Sequence, residues 1–402
     1  GDTRLDDQVS QRANSIRPSP TLAVSARAAA LKAAGQDILS LSAGEPDFDT
    51  PDFVKNAAIE ALNQGFTKYT AVRGTPGLRQ AIVDKFKREN GLEYSLDQIL
   101  VSCGCKHSIY NLMQATLNPG DEVIIPAPYW VSYPDMAKLA GAESVIIKTG
   151  IKQHFKISPE QLRGAITEQT RLLIMNSPAN PTGAYYNQDE LAALGEILLD
   201  YPDILIASDD IYEHILWADD HFQNIVNACP DLYDRTIVLN GVSKAYSMTG
   251  WRIGYAAGAT PIIDAMEKIQ SQSTSNPTSF AQVATQAALE GDQTFVKQIR
   301  NIFKERHDLI LAGLNGIKGI RCAPATGTFY IFPNCQDIID QCASIKDDLQ
   351  FAEYLLEEGN VAVVPGSAFG APGYLRLSFA CSKEHINEGL KRIETAVNNL
   401  LG

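Results

Sequence analysis

Between residues 97 and 258 the chain carries seven short apolar runs: "QILVSC", "DEVIIPA", "ESVIIKT", "RLLIMNS", "DILIASD", "TIVLNG" and "IGYAAG". Stretches of helical composition separate most of them. A strand with one wet face alternates apolar and polar residues, whereas these runs are apolar at nearly every position. Both of their faces must therefore be covered, and the intervening helices are the available cover. That alternation predicts an α/β fold with a mainly parallel, seven-stranded sheet layered between helices.

The remainder of the chain adds helices at its start and a mixed section at its end. Residues 21–34 ("TLAVSARAAALKAA") read as a helix, followed by a short strand in "ILSLSAG". In "DTPDFVKNAAIEALNQG" the expected N-cap is Thr50, with Pro51 at the first helical position and Gly65 as the stop. "GTPGLRQAIVDKFKRENG" repeats the pattern, with Leu78, Ile82 and Phe86 on one face and Gly91 ending it. Beyond residue 290 come one long helix, strands in "GTFYIF", "VAVVPG" and "YLRLSFA", and a closing helix with Ser382 as N-cap. A chain of 402 residues exceeds what one core usually serves, so we expect two domains. The division is 1–50 as an N-terminal arm and part of the small domain, 51–295 as the large domain, and 296–402 as a smaller α+β domain.

A formal net charge of −13 argues against a nucleic-acid partner, since phosphate backbones demand a basic footprint. It does not argue against small anions, because a few local arginines dominate one pocket. Seven cysteines at positions 103, 105, 229, 322, 335, 342 and 381 form no CxxC pair and share no metal spacing with the six histidines. They read as reduced thiols in a cytoplasmic protein with no bound metal, and Cys103 and Cys105 read as alternating along a strand. The polar start "GDTRLDDQVSQRANSIRPS" lacks the apolar core of a signal peptide, and no apolar run of 18 residues occurs, so no membrane partner is expected.

In open α/β sheets ligands bind beyond the carboxyl ends of the strands. The residues just past four of the apolar runs are Gly104, Cys105 and Lys106; Asn180; Asp209 and Tyr212; and Ser243 and Lys244. Taken singly, Asn180 reads as a turn residue, Asp209 as a helix cap and Gly104 as turn chemistry. Their shared place on one rim is what those separate readings leave unexplained. No GxGxxG follows a strand into a helix and no GxxxxGK[ST] loop occurs, which removes the main support for a dinucleotide or P-loop site.

The set suits an aldehyde cofactor. A lysine amine forms a Schiff base with it, and pyridoxal phosphate also needs a carboxylate at its pyridinium nitrogen. Its phosphate suits backbone N–H groups at a helix N-terminus, a hydroxyl and an arginine. Gly104 to Lys106, Ser243 and Arg252 match that demand.

With these residues in place, the chain resembles class I aminotransferases of the pyridoxal-phosphate fold type I, and most closely bacterial aspartate aminotransferases of subgroup Ib. The resemblance runs from "RPSPTLAVSARA" to "YLRLSFA", through "AGEPDFDTP", "KYTAVRGTPGLR", "PGDEVIIPAPYWVSYP", "NSPANPTG", "SDDIYEH", "SKAYSMTGWRIGY" and "VAVVPGSAFG" in that order.

The resemblance implies roles. Lys244 forms the imine and then carries the proton. Asp209 pairs with the ring nitrogen, Tyr212 and Asn180 reach the 3′ oxygen, and Trp130 stacks on the ring. The backbone of Cys105 and Lys106, with Ser243 and Arg252, holds the phosphate, and Cys105 stands where a glycine is expected. Tyr69 reaches the phosphate of a neighbouring subunit, which implies a homodimer with shared sites. Arg376 clamps the α-carboxylate of the substrate beside the backbone of Gly44, and Lys106 with Arg17 holds the distal carboxylate. The implied reaction moves the amino group of L-aspartate to 2-oxoglutarate by a ping-pong cycle, giving oxaloacetate and L-glutamate. Alternatives are a broader transaminase that also takes prephenate or aromatic amino acids, a β-lyase, and a pyridoxal-phosphate-binding regulator. The regulator needs a DNA-binding domain, which the roughly 20 residues ahead of the first helix do not supply.

Overall fold

A computed structural model of the chain describes residues 3–218 and 221–402. A two-residue strand, β1 (Leu39–Ser40), precedes the main sheet. The seven apolar runs become its seven strands: β2 (Ile99–Ser102), β3 (Glu122–Ala127), β4 (Glu143–Lys148), β5 (Thr170–Asn176), β6 (Leu205–Asp209), β7 (Thr236–Gly241) and β8 (Gly254–Ala257). Their order is β2-β8-β7-β6-β5-β3-β4. β3 through β7 pair in parallel, and β8 runs antiparallel to both β2 and β7. The reversal has a consequence for the site. The carboxyl ends of β2, β5, β6 and β7 share one edge, and β8 starts at that edge, so the residues just before Gly254 are delivered there too.

Both faces of the sheet are covered, as the continuous apolar runs require. Leu100, Ile125, Ile174, Ala207 and Leu239 point to one side, against Ile109, Met113, Tyr133 and Met266 from three helices. The neighbouring residues Val101, Ile124, Met175, Ile206 and Val238 point to the other, against Leu78, Ile82, Leu191, Leu198 and Ala284. Each fully buried aliphatic side chain here contributes roughly 1.5–3 kcal/mol relative to exposure. A charge at Ile206 or Val238 would therefore split the layers.

A second core lies in the C-terminal section. The long helix Thr294–Asn315 supplies Phe303, Ile310 and Leu314, and the closing helix Lys383–Leu401 supplies Ile386, Ile393 and Val397. Strands β9 (Tyr330–Ile331), β10 (Val361–Ala362), β11 (Val364–Pro365) and β12 (Leu375–Ser378) complete it, with β11-β12-β9 forming an antiparallel sheet. β1 pairs with β10 in parallel, so the N-terminal arm joins this section. Ile211, Tyr212 and Ile215, which follow β6, also pack into this second core. The loop beyond β6 thus bridges the two cores, and a cavity opens beside it.

Local details differ from the sequence reading at two places. Pro51, not Thr50, is the N-cap of helix Asp52–Asn63. The Thr50 hydroxyl instead donates to the Ser247 carbonyl at 2.6 Å and accepts from the Trp251 indole at 3.0 Å. A long-range partner has won over the local cap. Cys103 and Cys105 do not alternate on a strand, because β2 ends at Ser102 and Cys105 is the first residue of helix Cys105–Thr116. Gly65 and Gly91 end their helices at φ +80° and +64°, and the Ser382 hydroxyl accepts the His385 N–H, as anticipated. Among the described residues no helix is long and apolar enough to cross a membrane.

Candidate active site

The cavity at the carboxyl edge of the sheet has a volume of about 620 Å³. Its walls include Gly44, Cys105, Lys106, Trp130, Asn180, Asp209, Tyr212, Ser243, Lys244, Arg252 and Arg376, so eleven of the fourteen anticipated site residues meet there. Gly104 stands immediately behind the wall, whereas Tyr69 and Arg17 lie outside it. Tyr69 is 93% exposed. The Arg17 guanidinium is half exposed and sits 3.7 Å from the Asp135 carboxylate.

At the end of β2, Gly104 adopts φ +95°, a left-handed conformation that favours glycine. A methyl group there would lie 2.3 Å from the Arg252 guanidinium, and one on Gly254 would lie 2.3 Å from the Cys105 nitrogen. Two glycines thus let the first turn of helix Cys105–Thr116 press against the start of β8. The first N–H groups of a helix have no partner within it, and here they open beside Ser243 and Arg252. Arg252 donates to the carbonyls of Thr249 (2.9 Å) and Cys103 (3.4 Å), and among the described residues no carboxylate pairs with it. Hydroxyl, guanidinium and helix end form an anion cradle.

Asp209, the last residue of β6, is buried and accepts hydrogen bonds from three sides. The Tyr133 phenol donates to one carboxylate oxygen, and the Ile211 N–H (3.4 Å) and the Cys105 thiol (3.7 Å) donate to the other. Burial pushes its carboxyl up to about 6, against the pull of those donors and of Lys244. Lys244 Nζ donates to the Gly44 carbonyl at 2.6 Å and lies 5.8 Å from the rings of Tyr212 and Phe329. Burial among these walls, and then the positive charge of Arg376, bring its ammonium down to about 8. A lysine with that acidity has a substantial neutral fraction near pH 7 to 8, which a nucleophilic amine requires.

Arg376, on β12, is 2% exposed, and its guanidinium lies 4.2 Å from the Tyr330 ring centroid. It donates to the Asn180 side-chain oxygen at 3.0 Å and to the Ser42 carbonyl at 3.1 Å, and its Nε has no partner. A buried cation is costly unless an anion answers it. Among the described residues no carboxylate does. Lys106 projects over the Trp130 ring at 5.0 Å, and burial, followed by repulsion from Arg252, lowers its ammonium below the usual lysine range.

Four participants escaped the sequence reading. Tyr133 follows Trp130 by three residues, a spacing that keeps both on one side of the turn and was a usable signal. Asn176, at the end of β5, donates to the Asp209 carbonyl (3.1 Å) and accepts the Asn180 N–H (3.0 Å), tying two strand ends together. Tyr330, whose hydroxyl lies 3.3 Å from that of Tyr212, and Ser42 come from the second core, and no local pattern announced them.

A family model for aminotransferases of class I and II matches residues 36–393. The aspartate/prephenate aminotransferase of Nitrosomonas europaea is 57% identical, across 97% of this chain and all of the relative. That of Cereibacter sphaeroides is 52% identical, across 94% and 96%. Among solved structures, the aspartate aminotransferase from Rhizobium meliloti superposes with a TM-score of 0.94 at 46% identity, covering 98% of this chain and 99% of its own. The Thermus thermophilus aspartate aminotransferase with maleate gives 0.91 at 43% identity, covering 96% and 99%.

Proposed function

The chain belongs to the class I and II aminotransferase family, and from that premise we propose that it is a pyridoxal-phosphate-dependent aspartate aminotransferase. In this reading it transfers the amino group of L-aspartate to 2-oxoglutarate, giving oxaloacetate and L-glutamate in a ping-pong cycle. The observation that carries the substrate class is Arg376, a buried guanidinium whose Nε is free and which no carboxylate answers among the described residues. An amino acid's α-carboxylate is the anion it lacks.

The residues present fit the cofactor. The anion cradle of Ser243, Arg252 and the helix start suits the phosphate. The buried Asp209 suits a protonated ring nitrogen, the Trp130 face suits the ring, and Tyr212 with Asn180 suits its 3′ oxygen. Pyridoxal phosphate, when bound, supplies an aldehyde for the amino group and a ring that withdraws electrons from the substrate's Cα. The chain's own work is then division of labour. Arg376 and the Gly44 backbone orient the substrate so that its Cα–H faces Lys244, whose lowered pKa suits it to take and return that proton. Ionised Asp209 keeps the ring nitrogen protonated. Lys106 offers a positive charge to a distal carboxylate, with Arg17 joining it once released from Asp135.

The relatives from N. europaea and C. sphaeroides are named for prephenate as well as aspartate. That naming supports prephenate as a second amino acceptor here. Exposed apolar residues Phe53, Ile59, Leu62 and Phe66 gather on the same segment as Tyr69, which supports a second copy covering it in a homodimer. The separate cores support the three-part division at residues 50 and 295, and the seven free cysteines support a cytoplasmic setting. The decisive experiment is to assay the purified protein with aspartate, glutamate, alanine, tyrosine and prephenate. Turnover of aspartate no faster than that of alanine would refute the dicarboxylate reading.

A further inference from the structure

Cys105 occupies a place where the family resemblance implies glycine, and it lines the cavity. Its position is not adjustable. Gly104 is fixed at φ +95° against Arg252, and the Cys105 nitrogen is pressed against Gly254. From that anchored backbone the thiol reaches Asp209, with Sγ 3.7 Å from Oδ1. Burial, reinforced by the negative charge of Asp209, makes the thiol much less acidic than an ordinary cysteine, so it stays S–H and donates. Oδ2 is served separately by the Tyr133 phenol. Without the thiol, Oδ1 would keep only the N–H of Ile211, at 3.4 Å.

We propose that Cys105 is a positioning residue for the reaction: its thiol hydrogen-bonds Asp209, and with Tyr133 it keeps that carboxylate aimed and ionised toward the cofactor ring. The inference rests on the reading of Asp209 as the partner of the ring nitrogen. Several groups face Asp209. Tyr133 comes from helix Ser132–Leu139, Cys105 from helix Cys105–Thr116, Lys244 from the loop after β7, and Tyr212 from its own segment. Lys244 favours the ionised carboxylate by charge alone, while Cys105 and Tyr133 are the side chains that do so by direct hydrogen bonds. A thiol is a weak donor, so its removal should be felt as a tuning loss and not as a collapse of the site.

The test uses apoprotein of the wild type, Cys105→Ala and Cys105→Ser, titrated with pyridoxal phosphate from pH 5 to 9 and followed by tryptophan fluorescence. Loss of one hydrogen bond from a weak thiol donor, counted as an ordinary neutral bond, predicts roughly 3- to 10-fold weaker cofactor binding near neutrality in Cys105→Ala. Its acid limb should also move to higher pH, because Asp209 is then harder to ionise. Cys105→Ser, which restores a hydroxyl donor, should recover most of both effects. In the loaded enzymes, kcat for aspartate should fall in Cys105→Ala while KM changes little, since the substrate clamp is untouched. Binding and acid limb unchanged in Cys105→Ala, or equal loss in both variants, would overturn the proposal. Asp209→Asn separates the two levels of inference. If it loses turnover while Cys105→Ala is unaffected, only the thiol's role fails; if Asp209→Asn keeps turnover, the reading of Asp209 fails with it.

Discussion

Arg376 and Asn180 face each other in the cavity, guanidinium to amide oxygen at 3.0 Å, and among the described residues no carboxylate completes the arginine's fork. A neutral amide and a backbone carbonyl satisfy part of its donor set but none of its charge. Stacking on Tyr330 and Phe369 holds the guanidinium plane without neutralising it. The geometry is pre-organised for a planar, bidentate anion.

It follows that Arg376→Ala should penalise every amino acid, with or without a side-chain carboxylate. Each charge-assisted hydrogen bond lost is worth roughly 1.5–3 kcal/mol, or about 10- to 150-fold in kcat/KM, and two are at stake. Arg376→Lys should recover little, because a point charge does not reproduce the fork. Steady-state kinetics with aspartate and alanine read the outcome. A variant that loses aspartate alone would move Arg376 out of the α-carboxylate role.

Lys244 is predicted to be the lysine that reacts with the cofactor. Borohydride treatment of the yellow enzyme should fix the label to Lys244, identified by peptide mapping, and to no other lysine. Lys244→Ala should still bind the cofactor, through the anion cradle and Asp209. Its proton transfer should slow by roughly 10²- to 10⁴-fold, the usual contribution of a positioned acid or base. Label on a different lysine would reassign the chemistry.

Why the sequence carried so much of this site is a matter of chain topology. Asp209 ends, and Asn180, Tyr212, Ser243 and Lys244 follow, strands whose carboxyl ends share an edge, so a one-dimensional pattern of apolar runs already gathers them. Arg252 shares the edge for a different reason, the reversal of β8, which no apolar run reveals. Tyr330 and Ser42 reach the cavity from the second core, and a contact between cores leaves no periodic trace. The failed cap at Thr50 has the same origin, since its hydroxyl bonds a carbonyl 197 residues away. Strands of two residues, such as β9 and β10, are set by their neighbours more than by their own composition.

Asp210 offers a stability test away from the chemistry. It is buried beside Ser208 (2.7 Å) and Asn224 (2.9 Å), and burial followed by repulsion from Glu213 pushes its carboxyl up to about 8. The unfolded chain titrates this group near 4, so between about pH 4 and 8 the folded state binds the extra proton. Stability from this group is therefore full below the unfolded value and is lost as pH rises toward 8. Asp210→Asn mimics the protonated form and should flatten that dependence. Melting temperatures of apoprotein should converge at pH 5 and favour the variant at pH 9. Parallel melting curves across the range would show that Asp210 does not hold the proton.

The last prediction concerns the distal carboxylate. Lys106 lies in the cavity wall over Trp130, while Arg17 stands outside, 3.7 Å from Asp135 and half exposed. Lys106 meets a dicarboxylate without rearrangement, whereas Arg17 must first give up Asp135. Lys106→Ala should therefore lower kcat/KM for aspartate by roughly 10- to 150-fold, the worth of one hydrogen bond between charged groups. Arg17→Ala should lower it less, since part of what Arg17 gains from substrate it loses from Asp135. Alanine carries no distal group and should be nearly unaffected in both variants. Asp135→Asn frees Arg17 and should raise aspartate turnover relative to alanine, provided Arg17 is the second ligand. The measurement is the ratio of kcat/KM for aspartate to that for alanine in each variant. If Lys106→Ala and Arg17→Ala leave that ratio at its wild-type value, both residues serve the fold or the cofactor, and selectivity for dicarboxylates must arise elsewhere in the cavity.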